Sequence, residues 1–140
     1  MAQDFSNSLL LLAEDDENDA FFFRRTLRLS GLPLQLHHAS NGAVAIEFLQ
    51  SQAKLNLLPK LFFLDLKMPI MSGFDVLEWL KAQTPQLPVE VIVLSGSDRP
   101  EDRERAIKLG AADYLVKPIK PEEFHKILKK VSPQDSPPGQ

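Results

Sequence analysis

The chain has no cysteine, which removes disulfides, thiol nucleophiles and thiolate zinc sites, and with them a secreted disulfide scaffold. It also lacks any run of lysine and arginine long enough to make a nucleic-acid arm: 16 basic residues stand against 19 acidic, a formal net charge of -3. No segment approaches the ~18 apolar residues of a membrane span. Met1-Ala2-Gln3-Asp4 opens without a charged leader before an apolar stretch. No internal repeat is visible. Direct contact with nucleic acid or membrane is therefore not expected, and a soluble cytoplasmic protein is. What is present suits a globular domain: 44% hydrophobic and 25% charged residues in a chain of 140, enough for one core and too few for two full domains.

Apolar runs alternate with amphipathic stretches, the pattern of an α/β protein. Ser8 to Ala13 is a continuous apolar run ended by Glu14, Asp15, Asp16 and Glu17, which suits a strand buried on both faces. Phe23 and Leu27 then recur at helical spacing between Asn18 and Ser30, and Gly31 stands where the helix should stop. Leu34 to Ala39 reads as a second strand, followed by the cap Ser40-Asn41-Gly42 and a helix carrying Ala45, Ile46 and Leu49. After a looser stretch from Ser51 to Lys60, Leu61 to Leu64 is a third strand ending at Asp65. Ser72 and Asp75 resemble a capping box for a helix running to about Thr84. Val89 to Leu94 is a β-branched fourth strand, closed by Ser95-Gly96-Ser97, and Asp98 is placed to cap a helix that Gly110 ends. Asp113 to Val116 is a short fifth strand, and Pro121 opens a last helix with Lys126, Lys129 and Lys130 near its negative end. From Ser132 the chain is proline-rich with nothing to bury.

Five strand–helix units with short connections imply a mostly parallel sheet with helices on both faces. Ligands of such sheets bind beyond the carboxyl ends of the strands. Glu14 and Asp15 follow the first strand, Asp65 the third, Ser95 the fourth and Lys117 the fifth, while the second offers no comparable group. Three carboxylates brought together raise one another's pKa unless a cation sits among them. With oxygen ligands alone, Mg²⁺ or Mn²⁺ is favoured over zinc. Lys117 adds a point charge and Ser95 a hydroxyl donor. Together these are parts for phosphoryl transfer, with Asp65 as acceptor.

In these pieces the chain resembles the response-regulator receiver domain (CheY-like) of two-component signalling, from about Leu9 to Val131. The matching segments are Leu-Leu-Ala-Glu14-Asp15-Asp16, Phe-Leu-Asp65-Leu-Lys-Met-Pro69 with Ser72-Gly73, Val-Leu-Ser95-Gly96, Gly110-Ala111-Ala112-Asp113-Tyr114 and Lys117-Pro118. Their order makes the match specific, with steps of 50, 30 and 22 residues from Asp15 to Asp65, Ser95 and Lys117. The resemblance implies a flavodoxin-like doubly wound sheet, strand order 2-1-3-4-5, flanked by five helices. It implies domains at 1–8 (N-terminal extension), 9–131 (receiver) and 132–140 (disordered tail).

The resemblance further implies that Asp65 takes a phosphoryl group from a histidine kinase or histidine phosphotransfer protein. Glu14, Asp15, Asp65 and the Lys67 backbone carbonyl would hold Mg²⁺ or Mn²⁺. Ser95 and Tyr114 would be the switch, Tyr114 swinging inward behind Ser95, and Lys117 would bridge phosphate and acids. Lys117-Pro118 is expected to be cis. Ser72 stands where the family often has Asp, and Ser95 where it often has Thr, each retaining a suitable oxygen. Lys67 and Ser97 occupy positions that tune the lifetime of the phosphoryl group.

The expected protein is thus a stand-alone regulator rather than an enzyme, catalysing only its own phosphorylation and dephosphorylation. It would act on an unknown downstream protein, as a monomer or as a homodimer through the fourth helix, fifth strand and fifth helix. A non-phosphorylated scaffold would be expected to lose one of Asp15, Asp65, Ser95 or Lys117, and none is lost. A haloacid-dehalogenase-type hydrolase needs Asp two residues after its nucleophile, where Lys67 stands. His37, His38 and His125 lack metal-ligand spacing and read as strand and helix surface. Phe21-Phe22-Phe23 cannot all face one side of a helix. With Arg24, Arg25 and Arg28 the exposed ring forms either a patch for a partner kinase or a solvated basic face. Trp79 reads as packing, and Asp102, Arg103, Arg105 and Lys108 as a solvated face or dimer contacts.

Overall fold

The computed structural model describes residues 8–83 and 87–131. The proline-rich tail, nearly all of the N-terminal extension and Thr84 lie outside them. Strands and helices alternate as β1 (Ser8–Ala13), α1 (Glu17–Leu29), β2 (Leu34–Ala39), α2 (Gly42–Lys54), β3 (Leu61–Asp65), α3 (Gly73–Gln83), β4 (Glu90–Ser95), α4 (Pro100–Lys108), β5 (Asp113–Val116) and α5 (Pro121–Val131). The five strands form one parallel sheet in the order β2-β1-β3-β4-β5. Fold class and strand order are as expected. None of the described helices is long and apolar enough to cross a membrane.

Strand side chains alternate between two cores, which is why the central strands are apolar throughout. Leu11, Phe62, Leu64, Val91 and Val93 face one core with Leu49 of α2 and Val76, Leu77 and Leu80 of α3. Leu10, Leu12, Leu61, Phe63, Ile92 and Leu94 face the other with Phe23 and Leu27 of α1 and Phe124, Ile127 and Leu128 of α5. Phe23, Phe63 and Phe124 close the second core as an edge-to-face triad with centroids 5.0, 5.2 and 5.6 Å apart. Phe23 is thus the buried member of its aromatic run, and Phe21 and Phe22 are 58% and 52% exposed.

Local chemistry sets the element ends. Asp16 caps α1 through the Asp19 amide at 3.0 Å, and Asn41 caps α2 through the Val44 amide at 2.9 Å. Ser72 and Asp75 form the reciprocal capping box of α3, at 3.0 and 3.2 Å. Gly31 and Gly110 follow α1 and α4 with φ of 75° and 105°. Three details differ from expectation. Helix α2 continues through Ser51 to Lys54, because Ala53 still packs on the core. Strand β4 starts at Glu90 and takes in Ser95. Asp98 does not cap α4: the cap position is Arg99, with no side-chain bond to the helix. The Ser97 hydroxyl instead steadies the approach to the helix, donating to Asp102 Oδ2 at 2.8 Å and accepting from the Arg99 amide at 3.1 Å.

Candidate functional site

The sheet delivers its polar groups to one end. Glu14 follows the last residue of β1, and Asp65 and Ser95 are the last residues of β3 and β4. These three are the polar or charged side chains that are buried among the described residues. Burying such groups costs free energy unless each finds partners. The Glu14 amide bonds Ala39 O at 3.0 Å, tying the acidic loop to the end of β2. Gly73 presses the start of α3 onto the end of β3, donating its amide to Leu66 O at 2.9 Å. A Cβ there would collide with the Asp65 carbonyl oxygen and lie 2.7 Å from the Leu66 Cα.

Carboxylate oxygens of Glu14, Asp15 and Asp65 lie within 4.8 Å of one another, Asp15 being the exposed member. Lys117 reaches this cluster from beyond β5. Its Nζ donates to Glu14 Oε1 and Asp19 Oδ2, each at 2.8 Å, and lies 3.3 Å from Asp65 Oδ1. The Lys117-Pro118 peptide is cis, as expected. Desolvation, reinforced by the charge of Asp65, raises the Glu14 carboxyl to about 7 despite its bond to Lys117. Burial likewise raises Asp65, against the pull of Lys117, Glu14 and the Lys67 amide. For Lys117, burial alone would lower the ammonium, but the bonds to Asp19 and Glu14 and the charges of Asp65 and Glu14 outweigh it, so the group is held firmly protonated. The site is a half-neutralised pocket of hard oxygen donors with one cation, a donor set that suits a small divalent ion.

A second chain of bonds leaves the pocket through β4. Ser95 Oγ accepts the Ser97 amide at 3.0 Å, and Ser97 O accepts the Tyr114 hydroxyl at 2.8 Å. Tyr114 is buried, its ring inward, with the Arg103 guanidinium 5.0 Å above it. Inward is therefore the position that Tyr114 already occupies here. Arg105 lies 4.0 Å over the Phe74 ring, joining α4 to α3.

All the expected site residues Glu14, Asp15, Asp65, Ser95 and Lys117 stand at the carboxyl edge of the sheet, with Lys67 in the loop that follows Asp65. Two contributors were not anticipated. Asp19 shares Lys117, and its position four residues after Asp15, one turn along the helix, was the available signal. His38, on a strand expected to contribute nothing, has Nε2 2.8 Å from the Glu14 carbonyl and Nδ1 3.3 Å from Arg24 Nη2. With those partners Nε2 carries the proton and donates, while Nδ1 accepts from the guanidinium. His37 points to the other face and stacks on Phe48 at 3.9 Å. Burial lowers its pKa, with a smaller push from His38.

A parallel sheet carrying an acid cluster, a lysine and a serine at its carboxyl edge has the parts of a phosphoryl-accepting domain. The sequence profile of the response regulator receiver domain matches residues 10–129, and the chain belongs to that family. It is 32% identical over 117 residues to a probable cyclic di-GMP phosphodiesterase of Vibrio cholerae, covering 84% of this chain and 25% of that protein. The chain thus spans a quarter of that relative's length. The signal receiver domain of a putative LuxO repressor from Vibrio parahaemolyticus superposes with a TM-score of 0.77 at 30% identity, over 92% of this chain and 95% of that one. The Mn(2+)-bound form of response regulator Rcp1 superposes with a TM-score of 0.69 at 29% identity, over 90% of this chain and 92% of that one.

Proposed function

We propose that this receiver, residues 9–131, accepts a phosphoryl group on Asp65 from a phosphohistidine of a histidine kinase or phosphotransfer protein, and acts on a partner protein. The observation that carries the reading is the Lys117 ammonium 3.3 Å from a buried Asp65 carboxylate that shares its pocket with Glu14 and Asp15. An Asp65 oxygen forms the new bond to phosphorus as the phosphorus–nitrogen bond breaks. The leaving imidazole keeps the electron pair, giving an acyl phosphate and a free histidine. Glu14, Asp15, Asp65 and the Lys67 carbonyl would hold Mg²⁺ or Mn²⁺, a reading that the Mn(2+)-bound form of the similar response regulator Rcp1 supports. A bound divalent ion would neutralise the phosphoryl oxygens. Lys117 and the Ser95 hydroxyl supply the remaining donors.

Phosphorylation adds about −1.5 to −2 charges and three strong acceptors. A Ser95 hydroxyl recruited to that group draws on the chain of bonds through Ser97 to Tyr114, so Ser95 and Tyr114 form the switch. Its output face is α4, β5 and α5, where Ile107 is exposed and where a downstream protein or a second copy would bind. Phe21 and Phe22 beside Arg24 and Arg25 suit the docking of the phosphodonor.

The test is intact mass after incubation with acetyl phosphate and Mg²⁺, beside Asp65→Asn. One phosphate adduct that requires Mg²⁺ and is missing from the variant is expected. No adduct on the native chain, together with no Mg²⁺ binding, replaces this reading with that of a scaffold.

A further inference from the structure

We propose that Asp19 is a positioning residue of this site: its carboxylate competes with the phosphoryl group for Lys117 and is released when that group arrives. The inference rests on phosphoryl acceptance by Asp65 as proposed above.

An ammonium has three N–H donors and no more, and Lys117 faces three carboxylates: Glu14 and Asp19 at 2.8 Å and Asp65 at 3.3 Å. Two of its donors are thus committed in short bonds and one is left for the Asp65 side, so an incoming phosphoryl group that takes more than that one donor gains it only if an acceptor leaves. Asp65 is the attachment point and stays. The Glu14 side chain is 2% exposed, so parting it from its cation leaves an unpaired charge in a dry site. The Asp19 side chain is 42% exposed, so water takes over its solvation as it swings away. Its backbone does not depend on that bond. The Asp19 amide is held by the capping Asp16 at 3.0 Å, and a carboxylate in the first turn of α1 suits the positive end of the helix wherever it points.

Asp19 also opposes the phosphoryl group through space. The carboxylates of Asp19 and Asp65 that share Lys117 stand no more than about 6 Å apart across it, and at that distance one charge alters the binding of a mono- to dianion about 3- to 10-fold even in water-like surroundings. Asp19 thus holds the lysine toward α1 in the resting protein and sets how readily the anion is accepted.

The experiment compares the native chain with Asp19→Asn, which keeps the shape and removes the charge, and Asp19→Glu, which keeps the charge. Affinity for beryllofluoride, a tetrahedral mimic of the phosphoryl group, is measured by calorimetry at saturating Mg²⁺. The rate of adduct formation from acetyl phosphate is followed by intact mass. Asp19→Asn is expected to bind beryllofluoride about 3- to 10-fold more tightly and to form adduct faster by a similar factor, while Asp19→Glu stays near the native values. A purely structural residue would lower both quantities and the metal-free melting temperature together. Unchanged or weaker beryllofluoride binding by Asp19→Asn, with normal native phosphorylation, overturns the proposal, as does equal tightening in both variants. Native protein that takes neither phosphoryl nor beryllofluoride overturns the Asp65 reading itself, and this one with it.

Discussion

Raising the pH should loosen the metal-free protein, and Glu14 should be the reason. Burial and the charge of Asp65 raise this carboxyl from 4.5 to about 7. A carboxyl raised by folding binds its proton more tightly in the folded chain. Its stabilising contribution is therefore complete below about 4.5 and is lost as pH rises through about 7. The separation corresponds to about 3 kcal/mol at most. At about 3–4 °C per kcal/mol for a domain of this size, the melting temperature falls by up to about 10 °C between pH 5 and 8. Asp65, also raised by burial, contributes with the same sign. His37, lowered by burial, contributes with the opposite sign, since its stabilisation is lost as pH falls. Lys117 is raised, so its contribution is constant over this range. The assay is thermal melting in chelator across that pH range, beside Glu14→Gln. The amide carries no charge at any pH and should flatten the profile, while His37 acts equally in both proteins. Mg²⁺ should restore the native protein more at pH 8 than at pH 5, because at the higher pH no proton has to be displaced. A native profile that tracks Glu14→Gln, or a Mg²⁺ effect equal at both ends, refutes the reasoning.

Gly73→Ala places a Cβ against the Asp65 carbonyl and 2.7 Å from the Leu66 Cα; the overpacking should cost about 1–3 kcal/mol in urea unfolding, and a cost under about 0.5 kcal/mol would remove the close approach from the account. Tyr114→Phe loses the hydroxyl bond to Ser97 O but keeps the packing, so stability should fall by about 1 kcal/mol while the near-ultraviolet circular dichroism of the fold persists. Ser72→Ala breaks one half of the α3 capping box, with an expected loss of about 1 kcal/mol; calorimetry showing no change would mean that Asp75 alone sustains the cap.

Much of the fold was legible because its causes are local or periodic. Leu61 to Asp65 could be read from an apolar run ended by an acid, and the Ser72–Asp75 cap from a three-residue spacing. The acid cluster followed from knowing that strand ends converge. What stayed hidden depends on distances between segments far apart in the chain. Asp19 meets Lys117 across a separation of 98 residues, through the rotation of α1 and the path of the loop after β5, neither of which has a local signature. His37 and His38 are adjacent and chemically identical, yet the alternation of β2 sends one to Phe48 and the other to the Glu14 carbonyl. Asp98 looked like a cap because its type is right, but the cap position falls one residue on, at Arg99, which makes no side-chain bond to the helix.

The order of the sheet also sets a scale. Glu14 directly follows β1, Asp65 and Ser95 end the next two strands, β3 and β4, and hydrogen-bonded strands repeat every ~4.8 Å. The recess between the outer two is therefore about two repeats wide, a gauge fixed by backbone pairing rather than by side-chain choice. Under the proposed function, such a gap would take one tetrahedral anion and one small ion, and a bulkier donor would have to present its phosphorus at the rim. On that reading, substitution around the rim would retune speed, lifetime and partner while the gauge stays constant, leaving the exposed loops free to diversify without altering what the recess accepts.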